Sequence, residues 1–201
     1  ESVVLIGLST DIAAARPEVV QILDFYREGR WQASDETAHI GAAAGADPVG
    51  GAAPAAAAGE ATAFQLPEHV NYLRQFKYHD HTADIIVHSW GVTRAEAFAQ
   101  AVAGMFNYMT DLDNVEVRCA VEVEASGHDL LDLLYHLLDE FLFVFGTEMH
   151  VSRCVEVVEF DEENLRIRAR GYGEKMNLKK HEQGTEIKAV TMHMMRILTP
   201  D

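Results

Sequence analysis

The chain has 201 residues, 48% of them hydrophobic, enough for one domain with a buried core and an extension. Its formal net charge is -16, with 32 acidic against 16 basic residues. Phosphate backbones repel such a surface, so strong direct nucleic-acid binding is disfavoured, and cations or basic protein faces are the better partners.

Residues 1–63 read differently from the rest. Residues 2–8 are a short apolar run, and residues 11–26 carry Ile12, Val19, Val20, Ile22, Leu23 and Phe25 at helical spacing, with Pro17 suited to a first turn. Residues 41–63 are almost all Ala and Gly, broken by Pro48 and Pro54, which is the composition of a linker. The expectation is a poorly ordered Ala/Gly-rich extension over 1–63 and a domain over 64–201.

From Phe64 the pattern becomes dense. Residues 76–81 and 84–90 read as two short strands or one broken strand, ended by Gly91. Thr93-Arg94-Ala95-Glu96 is a capping box, in which the Thr hydroxyl accepts an orphan N–H and the Glu reaches back. The helix it opens has Ala95, Phe98, Val102, Met105, Phe106 and Met109 on one face. Residues 115–125 alternate apolar and charged, as a half-buried strand does. Residues 129–145 form a helix apolar round most of its circumference, with one polar stripe of Asp129, Asp132, His136, Asp139 and Glu140 and a stop at Gly146.

Residues 153–160 and 165–172 alternate again around Asp161-Glu162-Glu163-Asn164, an antiparallel hairpin. Residues 186–198 make a last strand. Hairpins and single helices without repeated βαβ units predict an α+β fold: two layers, a mostly antiparallel sheet with two main helices on one face.

The chemistry concentrates in His79-Asp80-His81-Thr82-Ala83-Asp84, continuing to His88. Carboxylates suit hard cations and imidazoles suit borderline metals, so this stretch is where an ion would be held. In an ideal strand Asp80, Asp84 and His88 share a face and His81 points away. The plainer alternative is turn and surface residues, with Asp84 satisfying backbone amides. The stripe on the second helix is either a carboxylate site or a solvated face. Lys179, Lys180 and Lys188 lie in a polar loop that either contacts an anion or is simply solvated. Cys119 and Cys154 read as reduced, buried thiols. No nucleophile elbow, phosphate loop, HExxH or EF-hand pattern occurs, and no window is apolar enough for a membrane span.

Four blocks together resemble the archease family: Lys77-Tyr78-His79-Asp80-His81-Thr82-Ala83-Asp84; Met105-Phe106-Asn107-Tyr108-Met109-Thr110; Asp129-Leu130-Leu131-Asp132-Leu133-Leu134-Tyr135-His136-Leu137-Leu138-Asp139-Glu140; and Lys180-His181-Glu182-Gln183-Gly184-Thr185-Glu186-Ile187-Lys188-Ala189-Val190-Thr191. The resemblance covers about residues 76–198. It implies an accessory protein, not an enzyme, that activates an RtcB-type RNA ligase in tRNA splicing by promoting ligase guanylylation and multiple turnover. It also implies a divalent metal, calcium, held by Asp84, with Asp80 as a neighbour. The expected setting is cytoplasmic, with the nucleus as a second compartment. The family's other metal ligands lie at the carboxyl end; this sequence stops at Leu198-Thr199-Pro200-Asp201, so the expectation is a domain lacking its final strand. Two readings of other classes stand beside it. One is a metal-dependent phosphoester hydrolase using Asp80, His81 and Asp84. The other is a chaperone-like interaction module built on the apolar helix.

Overall fold

The computed structural model of the protein describes residues 2–9, 64–70, 72–80 and 84–198; the side chains of 2–9, 80, 84, 193 and 194 are outside it. The helix expected over 11–26 and the Ala/Gly-rich stretch lie outside the described residues.

Seven strands and two α-helices are described, in an α+β arrangement: β1 (Ser2–Ser9), β2 (Phe76–Asp80), β3 (Asp84–Gly91), α1 (Arg94–Met109), β4 (Cys119–Ser126), α2 (Leu130–Glu148), β5 (His150–Asp161), β6 (Arg166–Lys175) and β7 (Ala189–Leu198). All pairings are antiparallel, but the strands divide into two sheets, in the orders β2-β3-β1-β7 and β4-β6-β5. Both helices touch both sheets. Ser2–Ser9, on the extension side of the boundary drawn at residue 63, is the strand between β3 and β7, with a bulge between Leu5 and Gly7.

The helices begin where the sequence says they should. Thr93 accepts from the Glu96 amide at 3.1 Å and the Glu96 carboxylate accepts from the Thr93 and Val92 amides, a complete capping box. Asp129 does the same for α2, accepting from the Asp132 amide at 2.9 Å, while Asp132 accepts from the His128 amide at 2.9 Å. Phe98, Val102, Met105 and Phe106 from α1 meet Leu133, Leu134, Leu137, Leu138 and Phe141 from α2 in one cluster with Val87, Ile167 and Ala169 from the sheets. Each fully buried Leu or Phe contributes on the order of 2 kcal/mol of transfer free energy, so this contact between the helices and the sheets is a large source of stability. No helix among the described residues is long and apolar enough to cross a membrane.

Three boundaries depart from expectation. The strand predicted over 115–125 starts only at Cys119. Asp111 caps a 3-10 turn at Leu112–Asn114, and the next backbone groups are taken by side chains: Arg153 donates to the Val115 carbonyl at 2.7 Å and the Glu116 amide donates to Glu174 at 2.6 Å. Gly146 does not stop α2, which runs through it to Glu148 and ends on Met149 in the left-handed region, φ 58°. The last strand begins at Ala189, three residues late, because 186–188 belong to the preceding loop.

That loop, residues 177–188, is fastened through its middle to the end of α1. The Gly184 amide donates to the Met109 carbonyl at 2.8 Å and the Thr110 hydroxyl donates to the Glu182 carbonyl at 2.7 Å. A Cβ on Gly184 would lie 2.6 Å from the Tyr108 carbonyl oxygen, so only glycine permits this approach. Beneath the loop is a small apolar cavity lined by Met109, Phe145, Met149 and Met176.

Candidate functional site

The β2–β3 ladder positions the His/Asp cluster. Asp80 ends β2 opposite Ile85, and Asp84 opens β3. Residues 81–83, which include His81, lie outside the described residues, as do the Asp80 and Asp84 side chains. Carboxylates such as those of Asp80 and Asp84 offer hard oxygen donors, which suit calcium or magnesium better than zinc. Among the described residues no group of three or more His, Cys, Asp or Glu is arranged to hold a metal.

The imidazoles of this cluster do meet. His79 Nε2 lies 3.4 Å from His88 Nδ1, with rings 5.6 Å apart and 20° from parallel. The Trp90 ring stands edge-on to His88 at 5.7 Å. Burial, then the charges of Lys77 and His79, hold the His88 imidazole below its usual pKa.

The stripe on α2 does not form one site. Asp129 and Asp132 are consumed by capping the helix, and His136 lies 3.5 Å from Asp132 one turn on. The loop lysines also separate. Lys180 Nζ donates to Glu174 at 2.5 Å and lies 3.0 Å from Glu116; Lys188 lies 4.0 Å from Glu186. Both cysteines are free, with Cys154 buried and Cys119 half-buried.

A charged centre the sequence reading missed sits under the loop. Glu174 on β6 is 7% exposed and accepts from the Glu116 amide, Lys180 Nζ and His181 Nε2, the last at 3.2 Å, with Arg118 Nε at 3.3 Å. His181, 2% exposed, accepts the Asn177 amide proton on Nδ1 at 2.9 Å, so its Nε2 carries the hydrogen donated to Glu174. Burial pushes the Glu174 carboxyl up, but the bonds from Lys180, the Glu116 amide and His181 hold it below the usual value. Glu174 stands alone after Gly173 with no motif around it, so sequence offers no signal for it.

Residues 76–201 match the family model described as the Archease protein family. That stretch is more than half the chain and contains all four signature blocks. The chain belongs to the archease family. Curated archeases resemble it closely: "Protein archease-like" of Drosophila melanogaster is 47% identical over 136 residues, 67% of this chain and 84% of the fly protein. "Protein archease" of Pyrococcus abyssi is 36% identical over 126 residues, 62% of this chain and 89% of its own. The solution structure of Methanobacterium thermoautotrophicum protein 1598 superposes with a TM-score of 0.54 at 34% identity, covering 64% of this chain and 92% of that one. The shared archease region thus begins at β2, and β1 lies outside the stretch the family model matches.

Proposed function

We propose that this archease activates an RtcB-type RNA ligase, promoting guanylylation of the ligase and its repeated turnover, with a calcium ion held at Asp84. The observation that carries the reading is the family match over residues 76–201, which contains the signature blocks intact. Charge supports it: a chain of net charge -16 is a poor RNA ligand and a good complement to a basic ligase surface, where opposite potentials speed encounter. The relatives named above bear the name archease and not that of an enzyme. In this reading the RNA chemistry belongs to the ligase, and Asp84 supplies the hard anionic ligand that a calcium ion needs.

The test is RNA joining by a cognate RtcB-type ligase under single- and multiple-turnover conditions, with GTP and a divalent metal, with and without this protein. The reading requires faster multiple turnover, and loss of that gain with Asp84→Ala. Unchanged ligase turnover in the presence of the unaltered chain would overturn it. Stimulation that survives Asp84→Ala would remove the metal from the reading while leaving the partner.

A further inference from the structure

Among the described residues, His79 and His88 bring two imidazole nitrogens to within the span of a metal chelate at the exposed edge of a sheet. His79 sits on β2 opposite Ile86, and His88 sits on β3 opposite Lys77, so the two are diagonal neighbours across an antiparallel ladder. Two hydrogen-bonded strands hold both backbones, which leaves only side-chain rotations to adjust.

The separation matters. Zn²⁺ and its neighbours bind imidazole nitrogen at about 2.0–2.1 Å, so two such bonds at a tetrahedral angle hold their nitrogens roughly 3.3 Å apart. His79 Nε2 and His88 Nδ1 are 3.4 Å apart. In the metal-free pair one nitrogen keeps its hydrogen and points it at the other; a metal ion would take the place of that hydrogen, which moves by exchange with solvent to the far nitrogen of the same ring, so that both ligands stay neutral imidazoles.

We infer that His79 and His88 form a two-imidazole site for a first-row transition-metal dication such as Zn²⁺, Ni²⁺ or Cu²⁺, separate from the hard-cation site at Asp84. Donor type sets the selectivity. Imidazole suits zinc, copper and nickel, whereas calcium requires oxygen. His79 is exposed at the β2 edge, so an ion reaches the pair without any rearrangement of the fold, and solvent can complete its coordination. Lys77, opposite His88, carries a charge that opposes a cation, which limits affinity without blocking access.

Trp90, edge-on to His88, provides the readout. The chain has two tryptophans, Trp31 and Trp90. In a Trp31→Phe background, Cu²⁺ should quench Trp90 fluorescence saturably, with one ion per chain by equilibrium dialysis, and excess Zn²⁺ should reverse the quenching while Ca²⁺ does not. His79→Gln changes an exposed side chain and should leave the fold intact by circular dichroism. It should raise the copper concentration for half-quenching at least tenfold, as should His88→Gln. Asp84→Asn should leave it unchanged. Unaltered quenching in folded His79→Gln would overturn the site. Loss of quenching in Asp84→Asn would overturn its separateness and assign the ion to the Asp84 centre. Neither result depends on ligase activation.

Discussion

The Tyr78 hydroxyl of β2 donates a hydrogen bond of 2.8 Å to the carbonyl of Gly104, in the middle of α1, and accepts one of 3.0 Å from Asn107. The edge strand that carries His79 is thereby pinned to the central helix. Burial drives the phenol up to about 12. Tyr78→Phe should lower stability by about 1 kcal/mol, the usual net value of such a bond, with little change in fold. Urea unfolding checks this, and a spectrophotometric titration should show Tyr78 still protonated at pH 11.

The sheet β4-β6-β5 depends on a glycine. A Cβ on Gly173 would overlap the Val151 carbonyl oxygen and lie 3.1 Å from Ser152 Cα, and backbone cannot swing aside as a side chain can. Gly173→Ala should cost at least about 3 kcal/mol, at the upper end of overpacking. Thermal unfolding against the unaltered chain measures it. Gly104→Ala should cost less, because its nearest neighbour is the Val87 side chain at 2.6 Å.

His150 makes stability depend on pH. It is 2% exposed, Nε2 finds no hydrogen-bond partner among the described residues, and burial takes its pKa down to about 4. Between its unfolded value near 6.5 and that folded value, the unfolded chain binds a proton that the folded chain refuses. Stability therefore falls as pH drops through this window, by up to about 1.4 kcal/mol per pH unit and roughly 3 kcal/mol in total. Denaturant midpoints for His150→Leu should be flatter between pH 6.5 and 4.5 than those of the unaltered protein; parallel curves would refute the assignment.

Glu174 binds the signature loop to the sheet. Removing its carboxylate leaves the buried His181 Nε2 hydrogen without its acceptor, while Lys180 and Arg118 keep Glu116. Glu174→Ala should cost about 2 kcal/mol, within the usual penalty for leaving a buried hydrogen-bond donor unpaired. Hydrogen exchange at the His181 amide, bonded to the Asn177 carbonyl at 2.7 Å, should accelerate in the variant.

Features whose causes are local could be read from sequence. Thr93 with Glu96 and Asp129 with Asp132 announce their helices within four residues, and Asp161, which accepts from both the amide and side chain of Asn164, closes the hairpin its composition suggests. Features whose partners are distant could not. Alternation continues through Val115 and Val117, yet Arg153 and Glu174 claim that backbone from elsewhere in the chain. Gly146 has the chemistry of a stop, but it is buried within α2 and the helix continues past it. At the site, period-two spacing along one ideal strand aligns Asp80, Asp84 and His88, but β2 and β3 are separate antiparallel strands whose register sets Asp80 opposite Ile85 and brings His79, not Asp80, to the face of His88. The loop lysines looked available for an anion until Glu174, invisible as a motif, is seen to hold Lys180.

The cavity beneath the 177–188 loop has a chemical consequence. Its thioethers are soft targets for peroxide, yet Met109 and Met176 are each only 4% exposed, whereas Met192 on β7 is 50% exposed. Mild oxidation should convert Met192 first and reach Met109 and Met176 only when the loop lifts. A sulfoxide would then put a polar oxygen where the loop must close and hold it ajar. The loop thus keeps these two thioethers from solvent, and the lag between oxidation of Met192 and of Met109 and Met176, read by mass spectrometry, measures how often the loop opens.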